Sequence, residues 1–371
     1  MSLPPAPAPL ARAGSTVAAL TRVGSTLTPQ PVAQAAILRA FLSENERLSR
    51  AFSAAAPARA AFRAAHPTSV LAFECMDGRV NVEAACGLPP GALAVCRNLG
   101  GTFDVGWPAL RPRLLAARDA ALRRGTHLLC VVTFHHSTTS AALGCAGHAC
   151  DTMRARESAE ALVAELEAFF SPDALSQAAV VLAAFETDAE ALTFFSPDGA
   201  CSAAAGRASA AALHALMPAM PRAVVRVLVA LAEGNAAHVA RRRGAKGVAD
   251  LGHDEHVIVI GTADWLSTAN HAIIIDDADP ELGVAIAAAA GIVLENLDRA
   301  AAAGASGGGL IISAIAFSCA SERAAAAAGA RYLARLARRA VARAHEGVAD
   351  GVFEFVAAVS DETRRLEVLR E

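Results

Sequence analysis

The chain has 371 residues, enough for one large domain or two of ordinary size. With 54% hydrophobic and 19% charged residues it can bury a substantial core, and a net charge of −3 gives no general attraction to nucleic acid or to an anionic membrane surface. The eight cysteines, at 75, 86, 96, 130, 145, 150, 201 and 319, are too scattered for the framework that staples small secreted domains. Several sit in apolar runs such as 128-LLCVV-132, where cysteine acts as a small buried hydrophobe, so a reducing compartment is expected. The charge-free stretch Ala300–Ser321 is broken by 304-GASGGG-309. It leaves about ten strongly apolar residues where a membrane span needs roughly 20, so no span is expected.

Residues 1–31 are rich in proline and alanine and read as a disordered or targeting-like segment. Residues 1–43 hold no Asp or Glu but carry Arg12, Arg22 and Arg39, a pattern shared by organelle transit segments and by disordered tails. Residues 32–371 read as a single α/β domain, beginning with a helix over about 32–56. Near-continuous apolar runs then mark strands at 69–75, 92–97, 127–134, 178–186, 256–261, 271–276, 309–317 and 352–357. Helical patterns lie between several of them, at 107–124, 156–170, 224–243, 281–302 and 321–347. The alternation predicts an α/β fold with a mainly parallel sheet flanked by helices. The pentapeptide FFSPD occurs at 169–173 and 194–198, which is read as repeated turn chemistry and not as a repeat fold.

In parallel α/β sheets, sites form beyond the carboxyl ends of the strands. Three polar stretches sit at such ends: 75-CMDGR-79, 97-RNLGG-101 and 135-HHSTTSAALGCAGHACD-151. Catalytic zinc takes three protein ligands and keeps one open position. Cys75 can supply one thiolate, His135 or His136 an imidazole, and Cys145 or Cys150 a second thiolate. Asp77 sits two residues from Cys75, where it can accept a hydrogen bond from a metal-bound water or occupy the open position itself. Arg79 can hold that carboxylate with a bidentate bond.

Cys-x-Asp-x-Arg at 75–79, Arg97-Asn98-x-Gly beginning 22 residues after the cysteine, and a strand ending in His with a Cys beyond it resemble the β-class carbonic anhydrases. The third element departs from that class, which has His-x2-Cys, because nine residues separate His135 from Cys145. The longer Cys-Gly-His segment looks like the limiting-CO2-inducible (LCIB-type) family and the related theta-class carbonic anhydrases. The stretch 253–277 resembles that family's distal half more loosely, and the resemblance covers roughly residues 65–340.

What the resemblance implies is a β-carbonic-anhydrase-like fold and a Zn2+ site held by Cys75, His135 and Cys145. Asp77 and Arg79 match the family's catalytic dyad, and Arg97 and Asn98 match the loop lining the substrate site. His136 rivals His135, and Gly144, Gly147 and His148 match the Gly/His part of the segment. The implied reaction is reversible hydration of CO2 to bicarbonate, with COS or CS2 hydrolysis fitting the same residues. A homodimer is implied, with no nucleic acid or membrane partner. The expected location is the cytoplasm, or the plastid stroma if residues 1–31 are a transit segment. Two other classes compete: a zinc protein of little activity working in CO2-handling assemblies, and a thiol protein using Cys145 and Cys150, whose Cys-x4-Cys spacing departs from the Cys-x2-Cys of oxidoreductases. The 253-HDEH-256 stretch reads as a polar loop before a strand or as a second metal site.

Overall fold

A computed structural model describes residues 31–171, 178–195, 213–215, 217–244, 255–261, 272–304, 308–345 and 352–369. Residues 1–30, Cys201, His253 and Asp254, for which expectations are stated above, lie outside them.

The apolar runs form two five-stranded sheets. The first contains β1 (Ser69–Cys75), β2 (Ala94–Asn98), β3 (Leu128–His136), β4 (Ala178–Glu186) and β5 (Ala191–Phe194), in the order β2-β1-β3-β4-β5. The second contains β6 (Val257–Gly261), β7 (Ala272–Asp276), β8 (Gly309–Phe317), β9 (Val352–Ser360) and β10 (Leu366–Val368), in the order β7-β6-β8-β9-β10. In each sheet four strands run parallel and the last pairs antiparallel with its neighbour. The same connectivity therefore occurs twice, although no sequence repeat announces it. The fold is α/β and mostly parallel, with helices covering the sheets.

Residues Leu128–Phe134 of β3 are buried along their whole length, as a strand covered on both faces requires. The helix Thr152–Phe170 packs on β3 and β4 through Ala155, Ala159, Leu162 and Leu166, a three-and-four spacing that makes one apolar stripe. Its start is set by Asp151, whose carboxylate accepts from the amides of Met153 and Arg154. Leu282–Ala302 packs on β6 and β7 through Leu282, Ala285, Ile286, Ala289 and Val293 by the same spacing. One buried apolar cluster joins Phe73 and Val131 of the first sheet to Ile258, Ile260, Ile273 and Ile275 of the second.

Several boundaries differ from expectation for local reasons. The first helix ends at Ala54 and a second runs from Ala56 to Ala65, because Pro57 brings no N–H to continue the first and suits a new first turn. The helix expected from 107 starts at Arg111, with Pro112 in its first turn. The third strand continues through His135 and His136 instead of ending at 134. The short antiparallel strands β5 and β10 are additional to the expected strands, since three or four residues carry little periodicity. The two FFSPD copies fall in unlike places, one ending a helix at Phe170 and the other ending β5 at Phe194. Among the described residues, one helical stretch, Arg222–Arg242, is long and apolar enough to cross a membrane, and Val224, Val225, Val227, Leu228 and Leu231 within it are buried in the core.

Candidate metal centre

Parallel pairing brings the carboxyl ends of β1, β2 and β3 to one edge of the first sheet. Cys75 is the last residue of β1 and pairs with Asn98 of β2, while β3 flanks β1 on the other side. His135 lies near the end of β3, fully buried. Side chains alternate along a strand, so His135 and His136 face opposite ways. His135 shares the cluster with Cys75; His136 is half-buried and stacks near Phe134, and burial holds its pKa below the usual value.

Cys145 reaches the cluster from the loop after β3. That loop is folded tightly: the carbonyl of Cys145 accepts from the amides of His148 and Cys150, and Ala149 and Cys150 both have positive φ. A Cβ on Gly147 would lie 2.6 Å from Cα and N of Gly100, so the loop presses its backbone directly on the turn after β2. His148 completes the contact with Nε2 3.0 Å from the carbonyl of Gly100. Cys150 instead points its thiol at the carbonyls of Ala142 and Gly144.

The donor atoms of Cys75, His135 and Cys145 lie within 4.8 Å of one another, and all three residues are buried. The two sulfurs are 3.8 Å apart. Two thiolates bound at about 2.3 Å to one tetrahedral zinc would stand about 3.8 Å apart. Neither ring nitrogen of His135 has a hydrogen-bond partner among the described residues, although both are buried. Two soft donors at zinc spacing beside an unsatisfied imidazole fit a metal ion and fit a packed core poorly.

The three donors shift one another's titration. The hydrogen bond from Cys145 holds the Cys75 thiol well below its usual range against the cost of burial, and His135 helps. Cys145 is pushed well above its range by donating that bond and by burial. Burial works against the imidazolium of His135, but the charges on Cys75 and Asp77 outweigh it and raise its pKa. Elsewhere in the core, burial alone pushes the Cys130 thiol up to about 12, as expected of an inert cysteine.

Asp77 is not one of the clustered donors. Its Oδ1 accepts from Arg79 N at 2.9 Å and Nε at 3.0 Å, and its Oδ2 accepts from Arg79 Nη2 at 2.7 Å. Oδ2 stands 3.8 Å from His135 Nε2. Arg79 also donates to the carbonyl of Leu143 at 2.9 Å. Burial opposes its charge, but Asp77 and Glu255 outweigh that and raise its pKa.

Arg97 and Asn98 sit at the end of β2. The guanidinium of Arg97 pairs with buried Glu74 at 2.6 Å and donates to the carbonyls of Asp77 and Val80, bracing the Cys75–Arg79 turn from behind. Asn98 donates Nδ2 to the carbonyl of Thr102, and its buried Oδ1 has no hydrogen-bond partner among the described residues. A cavity of about 10 Å³ lies over the cluster, lined by Cys75 and Asp77, by the apolar Met76, Leu99, Ile273 and Ile292, and by Glu255. In the sequence Glu255 belongs to the separate polar stretch 253-HDEH-256. Nothing in the order of residues ties it to position 78.

No protein-family profile matches the chain, and no curated protein matches it by sequence. Among solved structures, it is similar to a carbonic anhydrase from Streptococcus mutans, at 21% identity over 37% of this chain and 93% of that one, with a TM-score of 0.22.

Proposed function

We propose that this protein is a zinc-dependent carbonic anhydrase of the limiting-CO2-inducible type, catalysing reversible hydration of CO2 to bicarbonate. The observation that carries the reading is the convergence of Cys75, His135 and Cys145 at zinc spacing, beside an Asp77 that Arg79 holds out of the donor cluster. Three protein donors and a withheld carboxylate leave one position open to water, the pattern of a catalytic rather than a structural site. A zinc ion held there would supply the Lewis acidity that makes a bound water nucleophilic near neutral pH.

The chain's own residues do the rest. Asp77 Oδ2 accepts a hydrogen bond from the attacking water and so turns its lone pair toward the substrate. Arg79 keeps Asp77 pointed, because a bidentate guanidinium fixes a carboxylate in both position and plane. Arg97 braces the turn on which both stand. Met76, Leu99, Ile273 and Ile292 give CO2, small and apolar, an apolar wall and keep bulk water out. The oxygen of water bonds to the carbon of CO2, one C=O π pair moves onto oxygen, and the released proton passes to buffer.

The test is zinc content and stopped-flow CO2 hydration measured on one sample. About one zinc per chain and a rate far above that of free zinc are expected, with Cys75→Ser or Cys145→Ser removing both. A zinc-loaded chain that hydrates CO2 no faster than free zinc overturns the reading, and full zinc in both serine variants overturns the ligand set.

A further inference from the structure

The second sheet reaches into the site of the first, and Glu255 is the acidic side chain that it brings there. Glu255 lies two residues before β6 and is fully buried. Asn296, in the helix Leu282–Ala302, donates Nδ2 to its carbonyl at 2.8 Å and anchors its backbone. Its side chain crosses to the first sheet, where Oε1 accepts from the amide of Gly78 at 3.2 Å. Gly78 is the residue between Asp77 and Arg79.

The surroundings of Gly78 make this contact consequential. A Cβ there would lie 2.7 Å from the carbonyl oxygen of Ala272 and 3.1 Å from Cγ of Glu255, so the turn is pressed against the second half without a side chain between. Two residues before Gly78, the carbonyl of Met76 accepts from Ile274 N of β7 at 3.1 Å. The turn carrying the Asp77–Arg79 pair is thus held against the second sheet by β7 and by Glu255 together. Glu255 also lines the same small cavity as Cys75 and Asp77.

We propose that Glu255 is a positioning residue for the Asp77–Arg79 pair, acting through the Gly78 amide to hold the turn that keeps Asp77 on Arg79 and out of the metal's open position. The proposal rests on the carbonic anhydrase reading above. Once that amide is released, the turn can rotate and Asp77 Oδ2, 3.8 Å from His135 Nε2, swings toward the metal.

Three variants of the full chain separate reach from charge. Glu255→Asp keeps the charge and loses the reach, Glu255→Ala loses both, and Glu255→Gln keeps the reach and an acceptor oxygen but loses the charge. Each is loaded with zinc for CO2 hydration and, separately, with Co2+ for its visible spectrum, which reports the atoms around the metal independently of turnover. The Asp and Ala variants should keep about one metal per chain, lose about 10–100-fold in kcat, and show an altered Co2+ spectrum. The Gln variant should rescue most of the rate and restore the parent spectrum. The proposal is overturned if the Asp and Ala variants keep the parent spectrum and rate. It is equally overturned if Gln is as impaired as Asp, or if neither Asp nor Ala folds, which would make Glu255 a plain structural group. A parent chain that is inactive with zinc bound sinks the functional reading instead, and unaffected variants of an active parent sink only the role of Glu255.

Discussion

Replacing Asp77 by asparagine changes one atom and separates catalysis from packing. In the parent, Oδ2 takes Arg79 Nη2 at 2.7 Å in a pair whose side chains are 0% and 6% exposed. In the variant, an amide occupies the carboxylate's place. Oδ1 can still accept from Arg79 N and Nε, while Nδ2 sets a donor against the Nη2 donor. Breaking one partner of a buried pair costs about 3–5 kcal/mol. The carbonyl of Leu143 and the charge of Glu255 still act on Arg79, so the lower end, about 3 kcal/mol, is expected here. Against a usual stability of about 5–15 kcal/mol the variant remains mostly folded at 25 °C. If the pair were only a buried salt bridge, that would be the whole effect, and the rate per folded molecule would not change. If Asp77 orients the attacking water, the rate falls by about 10²–10⁴, equivalent to about 2.7–5.4 kcal/mol of barrier. The assay is stopped-flow CO2 hydration divided by the zinc-loaded, folded concentration, taken from elemental analysis and circular dichroism on one sample. Zinc should stay bound, because Asp77 is outside the donor cluster. A normalised rate within a factor of two of the parent refutes the mechanism.

His135→Ala should lose zinc while His136→Ala keeps most of it; the reverse in elemental analysis would move the ligand by one residue. Gly147→Ala forces a Cβ against the Gly100 backbone 2.6 Å away and should loosen the Cys145 loop by about 1–3 kcal/mol, weakening zinc affinity about 5–150-fold in chelator competition; unchanged affinity would show that the loop does not set the cysteine's position. Burial pushes the Asp276 carboxyl up from 3.8 to about 7, even with Arg113 2.5 Å away. The folded state then keeps a proton that the unfolded chain has released, so this stabilising contribution is full below pH 3.8 and lost as pH rises toward 7. Asp276→Asn should flatten that part of the melting temperature against pH, and a profile parallel to the parent's would contradict the assignment. Light scattering at micromolar concentration should give a dimer mass, and a monomer mass would remove that expectation.

Alternating apolar runs and helical stripes were enough to read the α/β class, because a strand covered on both faces must be apolar along its length and a packing helix must be apolar on one side. The same local patterns placed Cys75, Asp77 and Arg79 at one strand end, Arg97 and Asn98 at another, and a His and Cys segment after a third. Five residues of sequence also hold the Asp77–Arg79 pair, whose two members are close enough in the chain to meet within a single turn. That His135 and not His136 meets Cys75 is decided by how the ends of β1 and β3 pack, since neighbouring residues of a strand face opposite ways. The choice of Cys145 over Cys150 depended on a loop bent through positive φ at Ala149 and Cys150 and seated on Gly100. The pairing of Arg97 with buried Glu74 is a tertiary contact, and the second sheet repeats the connectivity of the first without repeating its sequence. Glu255 meets Gly78 across 177 residues of chain, and no periodicity or spacing can encode such a contact. Local patterns write elements and strand ends, whereas which side chains converge is decided by pairing and packing between segments far apart in the chain.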